Sequence, residues 1–254
     1  MDIAAVLAGL SALELAAVAG MALVASIVGG VAGYGTGALM PLVLVPIIGA
    51  EPVVPIIAIS ALLTNSSRAV AFRRLIDPRR MLIVLAGAAP TCVLGAYGYT
   101  LLSSVGATLV IGGMLMASVP LRRLLRRRDV RVGNGGLAAA SVGYGVVVGG
   151  TAGAGIILLS LLMSAGLEGG AVIATDAAIS IVIGIVKVAV FGVAGVVGAQ
   201  VVAFALLIGG IAFPGAFLAK ALVDRMPIHV HATILDAVVL CGGAFLIVRA
   251  MTTA

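Results

Sequence analysis

Apolar runs of helix length, parted by short polar turns, make up nearly the whole chain, and two of them are broken by dense glycine. None alternates apolar and polar residues with the ten-residue segments of an outer-membrane barrel, so the pattern predicts helices. The first run covers 4–28, with Glu14 its one charge and expected to face a bundle interior. A break over Gly29–Gly37 follows, then a short apolar piece over 38–48 and the turn Gly49-Ala50-Glu51-Pro52. A run over 53–72 carries Ser60, Thr64, Asn65, Ser66, Ser67 and Arg68. Asp77-Pro78 signals a helix start, and runs over 81–102 and 106–125 complete the first half.

The order then repeats. An apolar piece reaches Val148, a second break covers Gly149–Gly155, and a short piece reaches Ala165 before the turn Gly166–Gly169. A run over 171–191 holds Thr175, Asp176 and Lys187; a run over 201–222 is interrupted at Phe213-Pro214-Gly215, and the last covers 232–248. Gly35-Thr36-Gly37 aligns with Gly153-Ala154-Gly155, Gly49-Ala50-Glu51 with Gly166-Leu167-Glu168, and Arg68 with Lys187. The expected architecture is an all-α polytopic membrane protein of eight to ten hydrophobic segments. It divides into two transmembrane repeats, 1–128 and 132–254, each with a glycine-broken or re-entrant helix.

Charge orients the segments. Ten of the 15 basic residues fall in two clusters, 73–80 and 122–131, and clusters beside membrane helices mark the cytoplasmic side. With both clusters inside, each broken pair returns to its starting side and three further spans follow. The ends of a repeat then lie on opposite sides, and the repeats are inverted. Counting each broken pair as one span makes them parallel and misplaces Lys220 and Arg225.

Composition agrees. Hydrophobic residues are 63% and charged residues 9% of the chain, against roughly 25% charged in a soluble domain, so a polar surface cannot be covered. The net charge of +6 belongs to the two clusters and to topology, which argues against a nucleic-acid partner. Cys92 and Cys241 show no metal-ligand spacing, and no metal or other cofactor is expected. HExxH, GxSxG and GxxxxGK[ST] are absent, so the chain is expected to be neither an enzyme nor an ATP-driven pump. No basic stretch precedes the first run, which reads as an uncleaved span.

The breaks carry the candidate chemistry. Glycine costs a helix up to about 1 kcal/mol relative to alanine, and unwound backbone in hydrocarbon persists only inside protein or along a watery cavity. Two breaks, one per half, point to a transporter's binding site. A helix starting there offers unpaired backbone N–H groups and a partial positive charge to an anion. Candidates are Gly33, Gly35, Thr36 and Gly37 at the first break, and Gly150, Thr151, Gly153 and Gly155 at the second. The competing reading is close helix packing through small residues. Arg68 and Lys187 are candidate anion-pairing cations, unless they snorkel to the interface. Ser60, Asn65 and Thr175 are candidate polar contacts, and Asp176 is a candidate coupling group or a structural hydrogen-bonding one. Glu51 and Glu168 suit helix-start turns, where a carboxylate complements the dipole.

The ordered set resembles the sulfite exporter TauE/SafE family. It comprises the first break with Pro41, Ala58-Ile59-Ser60 leading to Ser66-Ser67 and the 73–77 loop, the second break, and Ala174-Thr175-Asp176. Gly153-Ala154-Gly155 departs from it, where a denser glycine run is expected. The resemblance implies secondary transport of small sulfur-containing anions, such as sulfite or organosulfonates, driven by an ion gradient with alternating access around the breaks. The alternative is a cation-coupled carrier or channel for another small solute. The expected partners are a small anion and the bilayer of a prokaryotic inner membrane, with a homo-oligomer left open.

Overall fold

The computed structural model describes residues 6, 8–32, 35–127, 131–214 and 228–252, and among them the regular elements are helices. The first five are α1 (Ala12–Ala32), α2 (Thr36–Ile48), α3 (Val53–Ala71), α4 (Pro78–Thr100) and α5 (Ser104–Arg127), with a 3-10 turn at Arg73–Leu75. The next five are α6 (Asn134–Gly150), α7 (Gly155–Ser164), α8 (Gly170–Val193), α9 (Ala199–Ala212) and α10 (Ile228–Thr252). Five of them, α1, α3, α4, α5 and α8, are long and apolar enough to cross a membrane. Large apolar side chains such as Leu82, Leu94, Val193 and Phe245 stand exposed on the outside, as a lipid-facing surface requires.

Glu14 does not face the bundle interior. Its carboxylate accepts from the Ser11 backbone N–H at 2.9 Å, and its own N–H donates to Ser11 Oγ at 3.2 Å. This is a capping box, in which a carboxylate satisfies orphan donors at the positive helix end. It starts α1 at residue 12 rather than 4. The helix then runs through Gly29 and Gly30 to Ala32, so the first break is narrower than the glycine density implied. Likewise α6 keeps Gly149 and Gly150 helical, and α9 ends at Ala212, where the run expected over 201–222 is interrupted at Phe213-Pro214-Gly215; residues 215–227 lie outside the described chain.

Glycines inside these helices serve packing. A Cβ on Gly149 would strike the Cys92 carbonyl, and one on Gly95 the Val146 carbonyl. The α4 and α6 backbones therefore lie against each other, the contact small residues allow in membranes, and Thr91 Oγ1 donates across it to Val142 O at 2.9 Å.

The helix pairs come in matched sets. When α1–α5 are exchanged for α6–α10 in order, the contact of α4 with α6 becomes that of α9 with α1, and α4 with α8 becomes α9 with α3. In the same way α5 with α7 becomes α10 with α2, while α3–α8 and α5–α10 map onto themselves. The central α3–α8 pair is antiparallel: Ala58 and Leu62 lie by Gly184, Arg68 by Asp176, and Phe72 and Leu75 by Gly170.

The α6–α7 pair returns to the side where it began. Val132 N–H, just before α6, donates to Ser164 O at the end of α7 at 2.8 Å. At 17 and 10 residues the two helices are about 26 and 15 Å long, too short to cross a core of about 30 Å. Each short helix, α2 and α7, is followed by a glycine in left-handed backbone, Gly49 at φ 82° and Gly166 at φ 89°, where a Cβ is strained.

The arginine-rich 73–80 loop is tied to this end of the bundle. Arg80 donates Nε and Nη2 to Ala165 O at 3.2 and 3.1 Å, holding the end of α7, and its Nη1 lies 2.7 Å from Asp77 Oδ2. Asp77 caps α4 by accepting from the Arg80 backbone N–H, and this hydrogen bond, chiefly, holds its carboxyl below the usual aspartate range. A depressed folded pKa contributes stability above the unfolded value and loses it as pH falls through the folded one. In detergent, Tm is therefore expected to drop at acid pH below the ordinary aspartate range. Asp77→Asn is expected to remove that part of the drop and to start from a lower Tm at neutral pH; an unchanged acid limb counts against this cap.

Candidate functional site

The two breaks meet. A Cβ on Gly37 would stand 3.0 Å from Gly153 N, and Gly153 itself is left-handed at φ 84°. Residues on both sides line one cavity of about 130 Å³. Neither helix start is capped by a side chain: Gly35 precedes α2 and Ala154 precedes α7 with no cap hydrogen bond. Thr36, Gly37 and Gly155, at these starts, line the cavity, and the first backbone N–H groups of a helix have no helical acceptor. Gly35 is wedged against α1, where a Cβ would collide with the Ala25 carbonyl and the Gly29 backbone.

The lining from α3 and α8 is nearly a copy of itself. Ile57, Ala61, Thr64, Asn65 and Arg68 line the cavity from α3. The residues 119 positions further along, Asp176, Ser180, Ile183, Gly184 and Lys187, line it from α8. Asp176 and Lys187 each sit six residues in from an end of the 24-residue α8, which puts the cavity midway along a span.

The charged groups are held, not snorkelling. Arg68 Nη2 lies 3.5 Å from Asp176 Oδ2, with side chains 12% and 2% exposed, and also donates to Asn65 Oδ1. The other carboxylate oxygen, Asp176 Oδ1, is buried with no hydrogen-bond partner among the described residues. Lys187 Nζ donates to Val148 O at 2.7 Å and Thr151 O at 3.1 Å. It places a cation on carbonyls at the negative end of α6, where the dipole favours one. Turning inward to the break replaces the outward reach that the sequence allowed.

Of the sequence-expected residues, Gly35, Thr36, Gly37, Asn65, Arg68, Thr151, Gly153, Gly155, Asp176 and Lys187 line the cavity. Three stand elsewhere. Gly150 faces the Gly95 carbonyl within the α4–α6 contact. Ser60 Oγ donates back to Ile57 O at 3.2 Å, and Thr175 Oγ1 accepts from the Asp77 backbone N–H at 3.0 Å, tying α8 to the arginine loop. Gly33 lies outside the described residues. Ser26 and Tyr144 line the cavity unanticipated. Each stands nine residues before the matching glycine, Gly35 or Gly153, so extending the repeat alignment backward would have found both.

The arrangement can bind an anion between a guanidinium and two helix starts. Among the described residues no group of three or more His, Cys, Asp or Glu side chains is placed to hold a metal. A family model, Sulfite exporter TauE/SafE, matches residues 18–246. No curated protein and no solved structure matches the chain.

Proposed function

Since the chain belongs to the sulfite exporter TauE/SafE family, a family of membrane permeases for sulfur-containing anions, we propose that it carries sulfite or a small organosulfonate by secondary transport. The anion sits between Arg68 and the starts of α2 and α7, and an ion gradient drives it. The observation that carries this reading is the contact of Gly37 with Gly153 inside one cavity that also holds Arg68. Backbone N–H groups at two helix starts suit a carboxylate, sulfonate or inorganic oxyanion alike, and the family narrows that class to sulfur.

The matched helix contacts, the antiparallel α3–α8 pair and the two copies of cavity lining support inverted repeats 1–128 and 132–254. Alternating access then moves one repeat against the other about the shared cavity, in the manner of other broken-helix carriers. The arginine clusters support a cytoplasmic side for the 73–80 and 122–131 segments, in a prokaryotic inner membrane.

Uptake of labelled sulfite into proteoliposomes tests the proposal. Flux above empty liposomes is expected, with unlabelled sulfite competing and zwitterionic taurine competing least. Absence of flux under proton, sodium and potential gradients alike would remove this function.

A further inference from the structure

Asp176 breaks the symmetry of the cavity. Its counterpart 119 positions earlier is Ile57, so the cations are matched, Arg68 with Lys187, while the carboxylate occurs once. Its Oδ2 pairs with Arg68 and its Oδ1 is buried with no hydrogen-bond partner among the described residues. An anion arriving at Arg68 brings a second negative charge beside the first in a water-poor site. Lys187 lines the same cavity, but its ammonium is engaged by the Val148 and Thr151 carbonyls, so the charge beside Asp176 is offset by a proton or a metal cation there.

Among the described residues, the end of α6 offers a sodium ion little to bind. In broken-helix carriers the unwound carbonyls at a half-helix C-terminus coordinate the coupling cation. Here the carbonyls of Val148 and Thr151 already accept from the Lys187 ammonium. The lysine is a tethered cation in that position.

We infer that the coupling ion is a proton: the anion and the Asp176 carboxylate take turns on Arg68, and each anion bound is matched by one proton taken up on Asp176. The inference rests on reading this cavity as the anion site. The proton comes from the aqueous phase to which the cavity is open, joins a carboxylate oxygen, and leaves to the opposite phase with the anion. A divalent anion so carried moves with one net negative charge: an inward proton gradient favours its entry, and an inside-negative potential favours its exit.

The groups facing Asp176 are Arg68 from α3 and Tyr144 from α6, which lines the same cavity. Cys92 of α4 is buried, with its carbonyl against Gly149 of α6. Arg73 and Arg74 of the 3-10 turn, packed on α8, are exposed, and α7 carries no titratable side chain.

Infrared difference spectra of the purified protein, with and without sulfite, read this directly, alongside equilibrium dialysis of labelled sulfite in sodium and in choline buffer. A protonated-carboxyl band is expected on adding sulfite, lost in Asp176→Asn and shifted in Asp176→Glu, with affinity unchanged within about twofold between the buffers. Sulfite binding without the band, or about tenfold tighter binding in sodium, overturns the proton assignment and leaves the anion site standing. No sulfite binding by the wild-type protein overturns the site reading and this inference together.

Discussion

Arg68→Met is expected to reduce anion flux to the background of empty liposomes and to destabilise the protein, whereas adding Asp176→Asn recovers most of the stability and none of the flux. Removing one partner of a buried pair leaves the other uncompensated, at a cost of about 3–5 kcal/mol. The lower end applies here, because the Arg68 side chain keeps 12% exposure and the Asp176 carboxylate can take up a proton. Replacing both charges removes that penalty, since neutral groups of similar size are often no less stable than the pair. Stability and transport therefore separate. On the proposed function, the pair is expected to be dispensable to the fold and the guanidinium to be the group that meets the anion. Thermal unfolding in detergent and labelled-sulfite flux measure the two, and wild-type flux in the double variant would take Arg68 out of the site.

The parts of this arrangement legible in the sequence were those where chemistry is improbable without a reason. Glycine at 35, 37, 153 and 155, and charge at 68, 176 and 187, are costly in hydrocarbon, so their positions carried information. The same signal over-read Gly149 and Gly150. Glycine lets a backbone unwind but equally lets another backbone approach, and only the contact with α4 separates the two uses. Hydroxyls were the least legible. Ser60 donates to the backbone of its own helix, which a short polar side chain can do on any helix face, and Thr175 accepts from the distant Asp77 backbone N–H. Ser26 and Tyr144 carry little signal in the sequence, since each is a single polar position among small and apolar neighbours. Glu14 was misplaced for a different reason. A carboxylate in an apolar run looks buried until Ser11, three residues before it, is recognised as the other half of a cap.

Gly37→Ala separates the meeting of the helix starts from ordinary packing. Gly37 lies in the first turn of α2, where alanine gains up to about 1 kcal/mol in helix propensity. Its Cβ would stand 3.0 Å from Gly153 N and 3.3 Å from Gly153 Cα, a little too near. Gly153 is poorly free to retreat, since its left-handed backbone already fixes the turn between α6 and α7. The propensity gain and the crowding are of similar size, so Tm is expected to change little. The starts of α2 and α7 are nevertheless forced apart by tenths of an ångström where the proposed anion would touch both, and flux is expected to fall at least about tenfold, equivalent to 1.4 kcal/mol of lost transition-state stabilisation. Gly20→Ala supplies the contrast. It sits within α1 with nothing within 4 Å of the added methyl, so it is expected to raise Tm and leave flux unchanged. Equal flux in the two variants would mean that the approach of Gly37 to Gly153 is packing alone, and the anion would have to be sought elsewhere along α3 and α8.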